Sequence, residues 1–520
     1  MVNPFEIPEI LYLICQHVQR SDLARLMTTS GRFFGCALPF VWNSLPENAP
    51  LILAKLFPFG SFLPTKKLNG KTAKALPLDT QSLLRFNIYA PHVKRLALVR
   101  FRHDDEGNAI WDRILELVNS RPILPNLEVL DVYVFVYRAE DLDPVSYIEA
   151  YLSPTLVEVN NVRDTQSFVK PQILYQLVST IVQEYPRISS LRLGDATGCS
   201  DPDPGQLANC LSQLQDIRVL GLGPVALNPA VLTVISALPN LETLELDQEG
   251  DPSIVFNSAE TMDAVLKLPY ESFPVLHRLV IYIRDKFELV DMIWSIPALL
   301  RRLTSISVRV YKPVQYSQIC DFVRVIHQNS PSISDLEFNF RHSWCFRSLL
   351  KTDLFVHLSE FPLRRLYIWL VQQDDYQRFS GQQLVLAFPQ MEDLEISGRD
   401  YTFEELAYIA ENMPGLQHLS VSIQLSTDWP SMHKRPSPSF TPSPSQLYFR
   451  FPNSATIRYF SSSKDSQVAE KIAIGLHSLW PNRVTCTNEQ GSDKDSRIFV
   501  DKVNAMLMYL RGVEGHHDQI

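Results

Sequence analysis

Pro239-Asn240-Leu241-Glu242-Thr243-Leu244-Glu245-Leu246 is a clear copy of a short pattern that returns along this chain, and Pro125-Asn126-Leu127-Glu128-Val129-Leu130-Asp131-Val132 is another. Each copy has an apolar anchor, with apolar residues three positions before it and two positions after it. Twelve copies, spaced by 24 to 35 residues, have as anchors Leu96, Leu130, Val159, Leu191, Leu220, Leu244, Leu279, Ile306, Leu336, Leu366, Leu394 and Leu419. Only Asn161 breaks the apolar pattern, so the chain is built from internal repeats.

Each copy is predicted to form a short strand that follows a turn. The anchor and the residue two positions later point to the same side of an extended chain, which gives the strand one buried face. In nine copies a proline stands five positions before the anchor. Its fixed φ and missing N–H suit the residue just ahead of a strand.

The segments between these strands have helical periodicity. Apolar residues recur there at spacings of three and four, as in 111–119, 173–184, 319–328 and 403–412. One strand and one helix recur about every thirty residues, and a single such unit cannot bury its apolar face alone. The sequence therefore predicts an α/β solenoid of stacked repeats, with parallel strands inside and helices outside.

Residues 85–425 resemble the leucine-rich repeat family in its long, irregular variety. The resemblance implies a horseshoe of about twelve or more strand–helix repeats. The alternative is a doubly wound α/β domain, which also alternates strands and helices. Twelve copies of one turn–strand pattern exceed the strand number of an ordinary open sheet, and the glycine-rich phosphate loop of the nucleotide-binding members is missing.

The N-terminal region, residues 1–46, differs from the repeats and predicts three short helices. Pro8 suits a first helical turn, Ser21 or Asp22 can cap a second helix, and a third is expected near 32–38. A segment of about forty residues with this much apolar surface needs support from outside itself.

The sequence Ile7-Pro8-Glu9-Ile10-Leu11 with Ile14, Leu23 and Leu26, followed by Phe33-Phe34 and Pro39-Phe40-Val41-Trp42, resembles the F-box of fungal-type proteins. The family function is binding to the adaptor subunit of cullin-RING ubiquitin ligases. The resemblance implies an adaptor-binding set made of Pro8, Ile10, Leu11, Ile14, Leu23 and Leu26. The alternative is that these helices only cap the first repeat.

In a leucine-rich-repeat horseshoe, side chains next to the anchors face the concave side, because the core takes the alternate positions. The set that we expect to bind a protein target there consists of Arg309, Asp335, Glu337, Arg365, Tyr367 and Trp369. Aromatic and arginine side chains carry much of the contact energy at interfaces, so Arg365, Tyr367 and Trp369 form the strongest part of this set. Alternatively, Trp369 packs against neighbouring strands or a descending loop.

The other segments are assigned by composition. Residues 47–84 are expected to be a linker and N-terminal cap, 447–512 a C-terminal repeat and cap, and 513–520 a tail. Residues 426–446 are rich in proline and serine and predict a disordered loop. Within it Ser437, Thr441 and Ser443 each precede a proline and are candidate phosphate acceptors, although such runs are common in plain linkers.

Composition narrows the function classes. A net charge of −9 with no long basic stripe argues against nucleic acid as a partner, and no apolar run is long enough for a membrane span. Seven scattered cysteines without a CxxC pair suggest neither disulfides nor zinc, which fits the cytoplasm or nucleus.

The usual catalytic motifs are absent, and His342 near Cys345 lacks a third group to orient the pair. We therefore expect no enzyme, no cofactor and no metal. The expected function is that of a substrate-recognition subunit of an SCF-type ubiquitin ligase, with a protein target still to be identified. The alternative is a ligase-independent leucine-rich-repeat scaffold.

Overall fold

The computed structural model of the chain describes residues 7–46, 49–56, 83–99, 122–133, 151–161, 171–185, 187–193, 204–248, 268–284, 288–311, 316–340, 352–370, 380–424, 429–430, 443, 446–451, 465–481, 483–488 and 494–517. They fall into two compact units, Met1–Val275 and Leu276–Ile520. The expected helix at 111–119, the pair His342 and Cys345, and the candidate acceptors Ser437 and Thr441 lie outside the described residues.

The first unit alternates helices and parallel strands after three N-terminal helices. Its elements are α1 (Pro8–His17), α2 (Arg20–Leu26), α3 (Gly31–Trp42), β1 (Ser44–Leu45), α4 (Ala49–Ala54), α5 (Leu84–Tyr89), a 3-10 turn (Ala90–His92), β2 (Arg95–Val99), β3 (Val129–Tyr133), β4 (Glu158–Asn161), α6 (Pro171–Glu184), β5 (Ser190–Arg192), α7 (Pro204–Leu211), β6 (Val219–Leu222), a second 3-10 turn (Pro224–Leu227), α8 (Pro229–Ser236) and β7 (Thr243–Gln248).

The second unit continues the same alternation. Its elements are β8 (Arg278–Ile283), α9 (Glu288–Trp294), α10 (Pro297–Leu300), β9 (Ser305–Val310), α11 (Tyr316–Asn329), β10 (Asp335–Phe340), α12 (Thr352–Leu358), β11 (Arg365–Leu370), α13 (Gly381–Ala387), β12 (Asp393–Tyr401), α14 (Phe403–Asn412), β13 (His418–Ile423), β14 (Gln446–Phe451), α15 (Asp465–Leu479), β15 (Arg483–Asn488) and α16 (Lys494–His517).

Within each unit every strand pairs in parallel with the next one along the chain, and the anchors lie directly beside one another. In the first unit Leu45 pairs with Leu96 and Leu96 with Leu130, and this continues to Leu220 and Leu244. In the second unit the anchors pair in series from Leu279 to Leu419, and β12 and β13 shift register only after the anchor, between Ile396 and Asp400. All twelve predicted anchors lie in strands, so the predicted α/β repeat fold is confirmed. The predicted helices at 173–184, 319–328 and 403–412 are α6, α11 and α14.

The core of each unit is built from the apolar positions of the repeated pattern. Every anchor is buried, and so is every residue three positions before it, from Val93 in the first repeat to Leu416 in the last. Burial of each large aliphatic side chain contributes roughly 1.5–3 kcal/mol, so these two rows of buried residues are the main source of stability when the repeats stack. The pattern found in the sequence is therefore the pattern of the core.

The three N-terminal helices pack on one another around Cys15, Leu23 and Ala37. Two predicted details were wrong. The N-cap of α2 is Gln19 rather than Ser21 or Asp22, which lie inside the helix. The third helix runs to Trp42 instead of ending near residue 38, with Pro39 in its interior. Its last turn, including Phe40, packs against the shared core, and this burial offsets the hydrogen bond that the proline removes.

The C-terminal helix α16 covers the exposed edge of the last strand, β15. The Asn504 side chain accepts a hydrogen bond from the Cys486 backbone N–H and donates one to the Cys486 carbonyl, both at 2.9 Å. Arg511 donates to the carbonyl of Val484. The helix side chains thus take the place of a further strand, which removes an edge that could pair with another chain. The helix continues to His517, so the tail expected from residue 513 begins later.

Parts of the expected disordered loop at 426–446 are packed. Trp429 is buried against Phe403, and its indole N–H donates to the carbonyl of Gln424. Ser443 is also buried, and its backbone N–H donates to the carbonyl of Leu479. The buried position of Ser443 argues against it as a phosphate acceptor in the folded chain. Proline and serine content does not reveal that an apolar residue nearby anchors the segment.

Candidate interaction surfaces

The six residues implied as an adaptor-binding set divide by exposure. Leu11 and Leu23 are buried, at 1% and 3% exposure, so their side chains belong to the folded chain rather than to a docking surface. Pro8 is exposed, and Ile10, Ile14 and Leu26 are half-buried. Leu26 also packs against the helical core.

The exposed apolar side of α1 is centred on a residue that the sequence analysis missed. Leu13 is 56% exposed and lies at helical spacing between Ile10 and Ile14. We call these three residues the helix-1 patch. On another side of the same helix, Tyr12 is 45% exposed and its ring lies 4.8 Å from that of Phe40. The i, i+3, i+4 spacing of Ile10, Leu13 and Ile14 was the available signal.

The helical module also contacts the first repeat. The Trp42 ring lies 4.5 Å from that of Tyr89, and Phe34 meets the same tyrosine edge-on at 6.1 Å. Arg20 donates a hydrogen bond of 2.8 Å to the carbonyl of Ser44, at the start of β1. These contacts involve α3 and the first residue of α2, and they leave Leu13 of the helix-1 patch exposed.

On the sheet of the first unit, the polar positions beside the anchors form a connected series of ion pairs and hydrogen bonds. Arg95 binds both carboxylate oxygens of Asp131, at 2.7 and 3.1 Å. Asn160 links Asp131 to Glu158, with its amide donating to both at 2.8 and 2.9 Å. Arg192 then donates to Asn160 at 2.7 Å and Glu158 at 2.9 Å. We call this series the polar ladder.

The polar ladder crosses β6 because that strand has a glycine at the crossing point. Arg192 reaches from β5 to Glu245 on β7 at 2.8 Å. A Cβ on Gly221 would lie 3.3 Å from three carbon atoms of Arg192 and would crowd the arginine. Burial alone would lower the pKa of Arg192, but Glu245 and Glu158 raise it above its usual value. The charged and polar side chains of the polar ladder therefore supply one another's hydrogen-bond partners.

The six residues expected to bind a target lie on one face of three adjacent strands in the second unit. Arg309 is on β9, Asp335 and Glu337 are on β10, and Arg365, Tyr367 and Trp369 are on β11. Their register places Arg309, Asn339 and Trp369 in one row, and Asp335 beside Arg365. The structure therefore brings this set together, with Arg365 exposed and the other five residues half-buried.

Tyr367 lies at the centre of this face. Its register partners are Glu337 on one side and Glu395 on the other. Burial, reinforced by the negative charges of Asp393, Glu395 and Asp335, raises the pKa of Tyr367 to about 12 against the opposing effect of Arg365. The phenol therefore stays protonated at neutral pH. We call Glu337, Tyr367, Trp369, Glu395 and Ser420 the Tyr367 face.

Glu337 and Glu395, the two carboxylates of the Tyr367 face, each pair with an arginine on another strand. Glu337 accepts a hydrogen bond of 2.8 Å from Ser307 and pairs with Arg309 at 3.4 Å, and the guanidinium of Arg309 lies over the ring of Tyr282. Glu395 pairs at 3.3 Å with Arg450, which reaches it from β14 across β13.

Asp335, Arg365, Asp393 and His418 lie in one row across β10 to β13, and neighbouring side chains in this row also pair. Asp335 pairs with Arg365, and Asp393 with His418. Together with the pairs of Glu337 and Glu395, these contacts place four carboxylates around Tyr367, with Arg365 on the same strand and Arg309 and Arg450 farther out on β9 and β14.

Two polar groups on the Tyr367 face have no hydrogen-bond partner among the described residues. Ser420, beside Glu395 in register, is 5% exposed, and its hydroxyl oxygen is buried without a partner. The indole N–H of Trp369 is also buried without a hydrogen-bond partner among the described residues. Ser420 was not anticipated, because a serine next to a strand anchor has no distinguishing signal in sequence.

Within the described part of the chain, no group of three or more His, Cys, Asp or Glu side chains is placed to hold a metal ion. Nor is any helix there long and apolar enough to cross a membrane.

Burial raises the pKa of the Cys486 thiol to about 12, which keeps it protonated.

No family model matches this chain, and no curated protein matches it. Among solved structures it is similar to the leucine-rich repeat-containing protein LegL7 from Legionella pneumophila, with 12% identity, 79% of this chain and 97% of that chain covered, and a TM-score of 0.34. A chain of the Rad7 and Elc1 complex in yeast has 14% identity, coverage of 76% and 92%, and a TM-score of 0.32. Similarities at this level carry no conclusion about function.

Proposed function

We propose that this chain is the substrate-recognition subunit of a cullin-RING ubiquitin ligase of the SCF type. The N-terminal helices bind the adaptor subunit, and the repeat strands bind a protein target. The observation that carries the proposal is the helix-1 patch, which lies on a three-helix module whose sequence resembles the F-box. Apolar side chains at helical spacing are suited to a groove in a partner protein.

The chain takes part in ubiquitin transfer by position alone. Holding two reactants together converts a bimolecular encounter into an effectively unimolecular step. The bound target would have its lysine presented to the ubiquitin-charged enzyme that the ligase recruits, and the chain would supply neither a nucleophile nor a base.

A second function, that of a ligase-independent scaffold, is favoured by one observation. The contacts of Trp42 and Phe34 with Tyr89 attach the helical module to the first repeat, as an N-terminal cap requires. A cap needs this inner surface but has no use for Leu13. The outer surface of α1 therefore distinguishes the two functions.

The test is binding of the purified adaptor to the full chain and to two variants. Leu13→Asp places a charge in the centre of the helix-1 patch without touching the core, because Leu13 is 56% exposed. Leu386→Asp is the matched control, since Leu386 is a 77% exposed leucine on a helix of the other unit. We expect Leu13→Asp to weaken adaptor binding at least tenfold, because a buried unpaired charge costs well over about 1 kcal/mol, and Leu386→Asp to have no effect. Absence of binding by the wild-type chain would favour the scaffold.

A further inference from the structure

We propose that the Tyr367 face binds an extended segment of a partner protein through a lysine or arginine side chain, which lies over Tyr367 between Glu337 and Glu395. This inference rests on the proposed function, because it names the chemistry of the target that the repeats hold. It is carried by the charge pattern across the sheet, by two polar groups without partners and by the size of the face.

The charge pattern has its negative groups at the centre. Glu337 and Glu395 lie on the strands directly beside Tyr367, and Asp335 and Asp393 add two more carboxylates near it, against the single cation Arg365 on the same strand; the partners Arg309 and Arg450 lie farther out on β9 and β14. A cation that arrives over Tyr367 is attracted by both carboxylates and by the face of the ring. An anion at the same point meets the two carboxylates first.

The groups without partners are suited to a polypeptide. The hydroxyl of Ser420 and the indole N–H of Trp369 have no hydrogen-bond partner among the described residues, and a buried polar group of this kind costs about 1–3 kcal/mol. A peptide backbone offers a carbonyl oxygen to the indole N–H, and a carbonyl or an N–H to the hydroxyl. Both atoms are buried in the free chain, so binding would satisfy them only where the side chains that cover them move aside.

The size of the face indicates a segment rather than a single small cation. From Arg309 on β9 to Arg450 on β14 there are five interstrand steps of about 4.8 Å, or roughly 24 Å in all. An extended chain spans that distance with about seven residues. A central basic residue would then reach Tyr367, and acidic or polar residues toward the ends would meet Arg309 and Arg450.

The test is selection of a phage-displayed library of random linear peptides on the immobilised full chain. We expect the enriched peptides to carry lysine or arginine, and to bind in a salt-dependent way. Their affinity should fall at least tenfold with Tyr367→Ser and with Glu337→Gln. The second variant removes a charge but keeps an acceptor for Ser307, so it guards against misfolding of the first. Tyr270→Ser is the control, since Tyr270 is 73% exposed and lies in the other unit.

Three outcomes overturn the inference: no enriched peptide, enriched peptides that are acidic, or enriched basic peptides that bind Tyr367→Ser and Glu337→Gln as well as they bind the wild-type chain. Adaptor binding measured on the same proteins separates this inference from the proposed function. Failure of peptide binding with intact adaptor binding removes only the inferred site. Peptide binding without adaptor binding removes the ligase function and leaves the site in place.

Discussion

Replacing Arg192 by methionine should weaken the first unit more than the loss of any exposed ion pair. The guanidinium donates to Glu245, Glu158, Asn160 and Ser190 at 2.7 to 3.0 Å. Methionine keeps the apolar length of the side chain but leaves the buried carboxylate of Glu245 without its partner. Removing one member of a buried pair costs about 3–5 kcal/mol. Because the Arg192 side chain is 30% exposed, we expect a cost of about 3 kcal/mol.

The assay is hydrogen exchange of the backbone amides of β5, β6 and β7 in the full chain. Exchange reports the free energy of local opening, so it does not require the whole chain to unfold in one step. A loss of about 3 kcal/mol corresponds to exchange faster by roughly a factor of 100. Adding Glu245→Gln to Arg192→Met removes the unpaired charge and should recover part of the loss.

Arg218→Met is the matched control for this experiment. Arg218 pairs with Glu242 at 3.2 Å on the same sheet, but the two side chains are 64% and 41% exposed. An ion pair this exposed contributes about 0–1 kcal/mol. If Arg192→Met accelerates exchange no more than Arg218→Met does, the polar ladder does not stabilise the first unit and the reasoning is refuted.

Three further predictions concern the second unit. Asn504→Ala removes both hydrogen bonds to Cys486 at the edge of β15, so sedimentation should detect association of the chain at concentrations where the wild type is monodisperse. An unchanged sedimentation coefficient would contradict the edge-capping role. Gly475→Ala should lower the free energy of unfolding by about 1–3 kcal/mol, because its Cβ would lie 2.6 Å from the Trp429 ring, whereas Gly512→Ala, with nothing within 4 Å, should be tolerated. Equal effects of the two variants in denaturant unfolding would refute the packing argument. The pKa of Tyr367 is about 12 in the folded chain against about 10 in an unfolded chain, so its contribution to stability is complete below pH 10 and is lost as the pH rises toward 12. Tyr367→Phe should therefore flatten the decline of the unfolding free energy over this pH range, and an unchanged pH profile would contradict the argument.

The repeats could be predicted from sequence because one physical requirement recurs in every unit. An anchor such as Leu244 must be buried beside the anchors of its neighbours, and the residue three positions earlier, Leu241, must fill the turn beneath it. Within each repeat both requirements fix the residue type at two positions only three apart, and they recur in every repeat. They therefore leave a periodic pattern in the chain, and the structure agrees with that pattern at all twelve anchors.

The N-terminal helices were less predictable because they are apolar on more than one side. Leu11 and Leu13 are leucines two positions apart on one helix, yet the first is 1% exposed and the second 56%. Residue type cannot tell which of them enters the core. That choice depends on where α3 packs, which is a contact between parts of the chain more than twenty residues apart.

The contacts on the sheet faces were the least predictable. Arg192 and Glu245 are 53 positions apart, and they meet only because Gly221 leaves room between them. Ser420 is buried without a hydrogen-bond partner among the residues that the structure describes. Such arrangements follow from register across several strands, and no local pattern in the sequence indicates them.

The proposed function is tested most directly by one titration, in which the purified F-box-binding adaptor is added to the full chain and the heat and the stoichiometry are measured. The account predicts a one-to-one complex that is lost with Leu13→Asp and kept with Leu386→Asp. No heat on mixing with the wild-type chain, or equal binding by Leu13→Asp, would contradict the assignment of the helix-1 patch to a ubiquitin-ligase adaptor.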